Sequence, residues 1–306
     1  MSGRRLHLYI LIHKEWRSAM LTIQTLITGL LMGGIYSLFA MGLSLIFGVI
    51  RVVNFAHGSF AILAAYIARE LAIAYNVDPF ISLAIVFPLF FLLGLIIYPT
   101  LVRDVALRGG RASLFLTFGL AQLIDGLCLY FWRGDPRTIP ASYAIYIIEL
   151  GPLMLPVVRF VSLIVAIAVT FLVYFFISKT FFGKAIRATI LDREAAQLMG
   201  ININYTVTMG FGIGIALASL AGVLSGIIYG FNPGSAGIFV FRSLVCVVMG
   251  GLGDPFGTTI AAFILGYSEA IFMSIAPAAL TPILAFLLLL IVLIIRPRGI
   301  RGAGLA

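Results

Sequence analysis

Long apolar stretches, separated by short polar ones, fill the chain from residue 21 to residue 295. They fall at about 21–50, 58–75, 79–101, 112–132, 156–178, 206–229, 236–252, 256–275 and 279–295. Runs such as Phe160–Ser178, Val207–Tyr229 and Ala279–Ile295 approach or reach the roughly 20 residues a helix needs to cross the hydrocarbon core of a bilayer. They are apolar on successive residues, whereas a membrane β-barrel alternates apolar and polar positions. The pattern predicts an all-α polytopic membrane protein, a bundle of about eight to ten transmembrane helices.

Two stretches interrupt this pattern without being ordinary loops. "RVVNFAHGSF" (51–60) places Asn54, His57 and Gly58 between apolar runs, and "GGLGDPFG" (250–257) does the same with Gly250, Gly251, Gly253 and Gly257 around Asp254 and Pro255. Broken helix at membrane depth is tolerated only inside protein or beside a watery cavity, because its backbone groups need partners. Both stretches are therefore expected to be broken or re-entrant segments, with the glycines as positions of close backbone approach. Gly58 to Glu70 has the same spacing as Gly257 to Glu269, which hints at an internal duplication of the kind many transporters carry. In 206–229 small residues recur every fourth position: Gly210, Gly214, Ala218, Gly222, Gly226 and then Gly230. Four residues turn a helix by about 400°, so this ridge winds slowly around it and predicts close packing against neighbouring helices.

Composition reinforces the membrane reading, since a soluble core neither needs nor hides 62% hydrophobic residues. The net charge of +9 is concentrated in a few connections. These are 102–111 (Arg103, Arg108, Arg111), 179–193 (Lys179, Lys184, Arg187, Arg193) and the tail (Arg296, Arg298, Arg301). Lys and Arg are retained on cytoplasmic loops, so all three are predicted to be cytoplasmic, with 133–155 and 230–235 outside. No basic patch interleaved with aromatics lies outside the spans, so nucleic acid is not an expected partner. Cys128 and Cys246 fall inside apolar runs and read as small buried hydrophobes, not as a disulfide or a metal pair.

The N-terminus resists the charge rule. Residues 1–20 form a basic leader with Arg4, Arg5, Lys14 and Arg17 around a short apolar patch, Leu8–Ile12. That patch is near the lower limit for the core of a signal peptide, and no A-x-A site follows. Nine spans put this leader outside. Two resolutions stay open: 21–50 breaks at Gly33–Gly34 into two short segments, or Met20 is the natural start and the leader lies upstream of it. Residues 21–306 read as a single transmembrane domain.

One connection is longer and more structured than the others. In "DREAAQLMGI" (192–201) and the residues just before it, Ala188, Leu191, Ala195 and Leu198 recur at helical spacing while Arg187, Arg193, Glu194 and Gln197 lie off that stripe. Asp192 suits an N-cap and Gly200 a C-terminal stop. The expectation is a short amphipathic helix, about Arg193–Met199, within a coupling segment 183–201. Its small-residue stripe suits docking into a protein groove better than insertion into lipid.

At these residues the chain resembles a known family. "EAAQLMG" (194–200) fits the E-A-A-x-x-x-G pattern of ABC importer permeases; "VVNFAHGSFAILAAY" (52–66) and "GGLGDPFGTTIAAFILGYSEA" (250–270) are similar to segments of the branched-chain amino acid permeases among them. The likeness covers nearly the whole chain from about residue 21 and is closest to the smaller of the two permease types in those systems; the leader 1–19 departs from it. It implies an inner-membrane subunit that pairs with a second, related permease. Two cytoplasmic ATPases drive the pair, and a periplasmic binding protein delivers the amino acid. It also implies that Asp192, Arg193, Glu194, Ala195, Ala196 and Gly200 form the ATPase-coupling helix. The chain has no G-x-x-x-x-G-K-[ST]; its Gly183–Lys184 is followed by Ala185. ATP and Mg would be used by the partner ATPase, with no cofactor or metal bound by this chain.

Inside the spans the candidate pathway residues are Asn54, His57, Asp125 and Glu269. Intramembrane carboxylates are costly and face a bundle interior or a cavity; Arg242 is a candidate partner for one of the two. A helix-break histidine bonded to backbone competes with a pathway role for His57. No nucleophile–base pair accompanies it, so the expectation is a transporter subunit and not an enzyme. Branched-chain or other hydrophobic amino acids are the expected substrate, with urea or short amides as a variant. The competing class is an ion-coupled secondary transporter or channel using Asp125 and Glu269, which would have no need of a docking helix.

Overall fold

The structure is a computed structural model, and it describes residues 3–150, 153–296 and 299–301. Arg298 of the basic tail therefore lies outside the described residues. The helices are α1 (Gly3–Ile50), α2 (His57–Tyr75), α3 (Pro79–Ile97), α4 (Arg103–Leu107), α5 (Gly110–Trp132), α6 (Val157–Lys179), α7 (Phe181–Leu191), α8 (Arg193–Leu198), α9 (Ile203–Ile228), α10 (Ala236–Gly250), α11 (Pro255–Ile275) and α12 (Thr281–Ile295). Among the described residues, eight helical stretches are long and apolar enough to cross a membrane, and α12 is a shorter apolar helix. The protein is an all-α polytopic membrane protein. Among the described residues the strands are a hairpin of two four-residue segments, Ile147–Leu150 and Leu153–Pro156, paired antiparallel.

The segments alternate between two ends of the bundle. At one end lie the close of α1, the α7–α8 connection, the α10–α11 turn and residues 299–301: Gly253 approaches Gly48 and Ile190, and the Ile300 and Arg301 amides donate to the carbonyls of Met249 and Gly250. At the other end the 133–146 loop meets the close of α9 through a bridge between Arg137 and Phe231, and the second strand of the β-hairpin packs on α1 and α6. Of the charged residues from 23 onward described near the two ends, the first carries ten Lys or Arg against four carboxylates and the second four against four. The first is called the basic end below.

α9 is the axle of the fold. It is buried along nearly its whole length, and it packs on α1, α2 and α3. Its ridge of small residues performs this packing. Gly210 and Gly214 face Val49, Ile46 and the Gly42 carbonyl of α1, whereas Gly222 and Gly226 face Ala61 and Ala65 of α2. A four-residue repeat drifts by about 40° per step on a helix of 3.6 residues per turn, and that drift carries the ridge from one neighbour to the next. The other tight crossing joins α1 to α11, where Gly29 and Gly33 meet Tyr267 and Phe263, and Gly266 meets Gly33.

The two interruptions differ in kind. Residues 51–56 leave α1 through Arg51, at φ 60°, and climb back into the bundle. His57, which opens α2, hydrogen-bonds the Phe39 carbonyl, eleven residues before the end of α1 and so about 16 Å from it at 1.5 Å per residue. This segment is re-entrant. The second is a tight turn at the basic end itself, with Gly251 and Gly253 at φ 116° and 80°. A Cβ at Gly250 would collide with the backbone of Gly257 and Thr258, so α10 and α11 close directly onto each other there. α1 runs without interruption through Gly33 and Gly34, contrary to the first of the two resolutions for the N-terminus. Both glycines are used for packing, Gly33 on α11 and Gly34 against Leu163 of α6.

The last apolar run starts later than its composition suggests. Pro277 and Pro282 bracket a single 3-10 turn, and α12 proper has 15 residues. The run expected over 79–101, by contrast, continues as helix to Leu107, with α3 joined to α4 by a π-helical segment, Tyr98–Val102, that contains Pro99, where the missing proline N–H removes a helical bond.

Candidate functional site

The α7–α8 arm is built by local rules. Thr180 caps α7 by accepting from the Gly183 amide at 3.0 Å. Gly183 has no room for a side chain, because a Cβ would strike the Phe176 carbonyl and the backbone of Ile177; α7 thus folds back onto the end of α6. Asp192 breaks the two helices apart, at φ −148° and ψ 112°, and its carboxylate accepts from the amides of Glu194 and Ala195 at 2.9 and 3.0 Å. The close of α8 is equally defined. The Ile201 amide donates to Ala196 O, the Gly200 amide donates to Gln197 O, and Gly200 sits at φ 84°. These are the paired hydrogen bonds of a Schellman stop.

Seated this way, α8 buries Ala196 and exposes its neighbours, Ala195, Gln197, Leu198 and Met199. Leu191, Leu198 and Met199 are 74%, 89% and 84% exposed, which is unusual for three bulky apolar side chains so close together. The stripe read from the sequence is divided by the break at Asp192. Ala188 and Leu191 end α7, and Ala195 and Leu198 face outward from α8. Glu194 is exposed in the first turn of α8 and Arg193 stands beside Tyr98.

Within the spans, Asn54 and His57 share the re-entrant loop. Asn54 Oδ1 accepts from the Ala56 amide at 3.1 Å, its carbonyl accepts from the His57 amide, and His57 Nε2 lies 2.9 Å from Phe39 O. Both side chains are buried, and Asn54 Nδ2 and His57 Nδ1 have no partner among the described residues. Asp125 on α5 faces Ser59, two residues along α2, without a hydrogen bond of ordinary length. These three sequence candidates thus lie around the start of α2.

Glu269 lies elsewhere. It is completely buried on α11, accepts from the Tyr36 hydroxyl of α1 at 2.7 Å and pairs with Arg242 Nε of α10 at 3.1 Å. The guanidinium also lies over the Tyr36 ring, 5.2 Å from its centroid. A buried carboxylate is tolerable when its charge and lone pairs are met in this way. α5 packs on α2 while α11 packs on α1, α10 and α12, so Asp125 and Glu269 do not form one site. Among the described residues no group of three or more His, Cys, Asp or Glu could hold a metal ion. Cys128 and Cys246 are free and buried on different helices.

The family model described as "Branched-chain amino acid transport system / permease component" matches residues 25–293. The chain belongs to that family. It is 31% identical to the high-affinity branched-chain amino acid transport system permease protein BraD of Pseudomonas aeruginosa, over 92% of this chain and 95% of that protein. It is 27% identical to the LivH permease protein of Salmonella typhimurium, again over 92% and 95%. A probable LivH permease protein of Methanocaldococcus jannaschii is 26% identical, over 87% and 88%. As in its relatives by name, transport across a membrane is the family's business.

Two features escaped the sequence. Tyr36 sits in "GGIYSLF" with nothing to separate it from other span aromatics, and only the fold brings it to Glu269. The exposure of Leu198 and Met199 was hidden for the opposite reason. Both look like core residues until Asp192 and Gly200 fix how α8 is rolled.

Proposed function

We propose that this permease is the membrane subunit of an ATP-driven importer, with the basic end in the cytoplasm and α8 docked in a groove of a separate ATPase. One observation carries the reading. A helix of six residues, capped at both ends, holds Leu198 and Met199 out into solvent at the basic end, beside Leu191 at the exposed close of α7. A self-sufficient transporter has no use for such a surface, whereas a short helix in a groove is an ordinary means of recognition. The charge bias between the ends supports the orientation, since Lys and Arg are retained on the cytoplasmic side, and the C-terminus is expected there too. The expected assembly comprises a second related permease, two ATPase subunits that bind ATP and Mg, and a binding protein on the hairpin side, in a bacterial inner membrane. The substrate class is branched-chain or other hydrophobic amino acids, with urea or short amides as the variant. Against an ion-coupled mechanism, Glu269 is neutralised by Arg242 and lies apart from Asp125.

The test is co-purification. The ATPase should be retained by the permease and its hydrolysis stimulated by loaded binding protein. Deleting 193–199 should abolish retention without loss of the permease from the membrane. Retention undiminished by that deletion would refute the docking role.

A further inference from the structure

Arg242 stands nine residues from Pro233 and eight from Gly250, at the middle of the span they bound. About 12 Å of helix therefore separates it from either end. A guanidinium at that depth does not face acyl chains; it is turned toward protein or water. Its bonding is lopsided. Glu269 is wholly buried, but the Arg242 side chain remains 21% exposed. One N–H serves Glu269 and another reaches Thr281 at 3.5 Å, out of the five that a guanidinium carries. The carboxylate of the pair is closed off, and part of the guanidinium is not.

A second observation gives this opening a direction. Tyr229, at the close of α9, lies in the field of Arg242, of Glu269 and of Arg159. Arg159, in the first turn of α6 at the hairpin end, sits 5.8 Å over the Tyr229 ring. Among the described residues no carboxylate forms an ion pair with Arg159. Two guanidiniums, Arg159 stacked on Tyr229 at the hairpin end and Arg242 stacked on Tyr36 at mid-span, thus step inward along the bundle, and a single carboxylate, Glu269, pairs with the inner one.

We propose that Arg242, held by Glu269 and Tyr36, is where the transport path recognises the α-carboxylate of a passing amino acid, and that Arg159 is the outer step of the same path. The inference rests on the importer reading above and narrows it, because urea and short amides have no carboxylate to offer. The chemistry fits a transient stop. A guanidinium meets a carboxylate with paired, charge-assisted hydrogen bonds. Glu269 already offsets much of the Arg242 charge, and that keeps the stop weak enough to leave, as conduction requires. The apolar side chain of the substrate then needs only a permissive wall.

The experiment uses the whole complex in proteoliposomes, with leucine uptake and ATP hydrolysis read from the same sample. Neutralising Arg242 alone strands Glu269, so Arg242→Gln is studied beside Arg242→Gln with Glu269→Gln, which removes both charges, and beside Arg242→Lys. The expected result for the double variant is normal co-purification of all subunits. Leucine moved per ATP should fall about tenfold to a hundredfold, the range for losing charged hydrogen bonds. Arg242→Lys should regain part of it, and Arg159→Gln should lose less than Arg242→Gln. A double variant with the wild-type ratio of leucine to ATP would overturn the proposal and leave the pair as packing. Loss of the second permease, with transport per intact complex unchanged, would overturn it in favour of a subunit contact. Wild-type complex with neither leucine uptake nor stimulated hydrolysis would sink the importer reading, and this inference with it.

Discussion

The crossing of α9 over α2 and the tip of α8 each depend on a glycine, for opposite reasons. At Gly222 the backbone is ordinary helix and the space is gone, because a Cβ would meet the carbonyl oxygen, carbonyl carbon and Cα of Ala61. At Gly200 nothing lies within 4 Å and the backbone is at φ 84°. One region is fixed by contact between distant segments and the other by its own hydrogen bonds. A region fixed by contact moves only with the bundle. A region fixed by its caps keeps its shape while its side chains stay free for a partner, and this suits an arm that works at an interface.

The largest expected effect is on the crossing. Gly222→Ala should prevent recovery of monodisperse protein in detergent, since the obstacle is backbone and overpacking of that kind costs about 1–3 kcal/mol or more. Gly226→Ala is the control. Its Cβ would meet Ile139 Cδ1, Phe231 Cε1 and Ala65 Cβ at 3.0 to 3.2 Å, side-chain atoms that can yield by a few tenths of an ångström. Equal yields for the two variants would break the comparison. Next in size, Gly200→Val strains the left-handed position by roughly 1–2 kcal/mol, while Gly200→Asn should be tolerated. In the valine variant hydrogen exchange should rise at the amides of positions 200 and 201 and nowhere in α9. A global loss of protection would mean that the arm is not independent of the bundle.

Much of this architecture was legible because each part obeys a local rule. Asp192 and Gly200 announce the ends of α8 by type and spacing, and the expected helix over 193–199 differs from the observed one by a single residue. The ridge on α9 was legible as packing because small residues at every fourth position have few other uses. What stayed hidden depends on where segments meet. Residues 51–56 and 250–257 look alike as breaks, yet one re-enters the bundle and the other turns at its end, and only the position of α1 decides which. A break at Gly33–Gly34 was one way to reconcile the basic leader with the charge rule, but here close neighbours in α6 and α11 use the missing side chains. Arg242 was a candidate partner by charge alone; Tyr36 and Tyr229, which give that pair its surroundings, carried no signal of their own.

A smaller effect belongs to the N-cap. Asp192→Ala removes two hydrogen bonds to the Glu194 and Ala195 amides and should cost about 1 kcal/mol, confined to α8. Asp192→Asn should restore most of it, because the amide oxygen can accept in the same place. Faster exchange at those two amides in Asp192→Ala, reversed in Asp192→Asn, is the expected readout. If the asparagine variant behaves like alanine, the negative charge at the helix start matters more than the cap geometry.

The smallest effect on stability should accompany a large one on assembly. Leu198 is 89% exposed, so Leu198→Ser removes almost no contact within the chain and should change its stability by no more than about 0.5 kcal/mol. The same side chain would be buried if α8 sits in an ATPase groove, and losing a buried leucine from an interface costs about 1.5–3 kcal/mol. The arm and the crossing therefore make opposite demands on a single measurement. Gly222→Ala should remove the protein and with it any binding, whereas Leu198→Ser should leave the thermal unfolding of the purified permease unchanged and weaken its retention of the ATPase. Ala196→Ser, on the buried side of the same helix, provides the internal contrast, with its effect on α8 seating and not on the outward surface. If Leu198→Ser retains the ATPase as firmly as wild type does, the exposed face of α8 is not the docking surface.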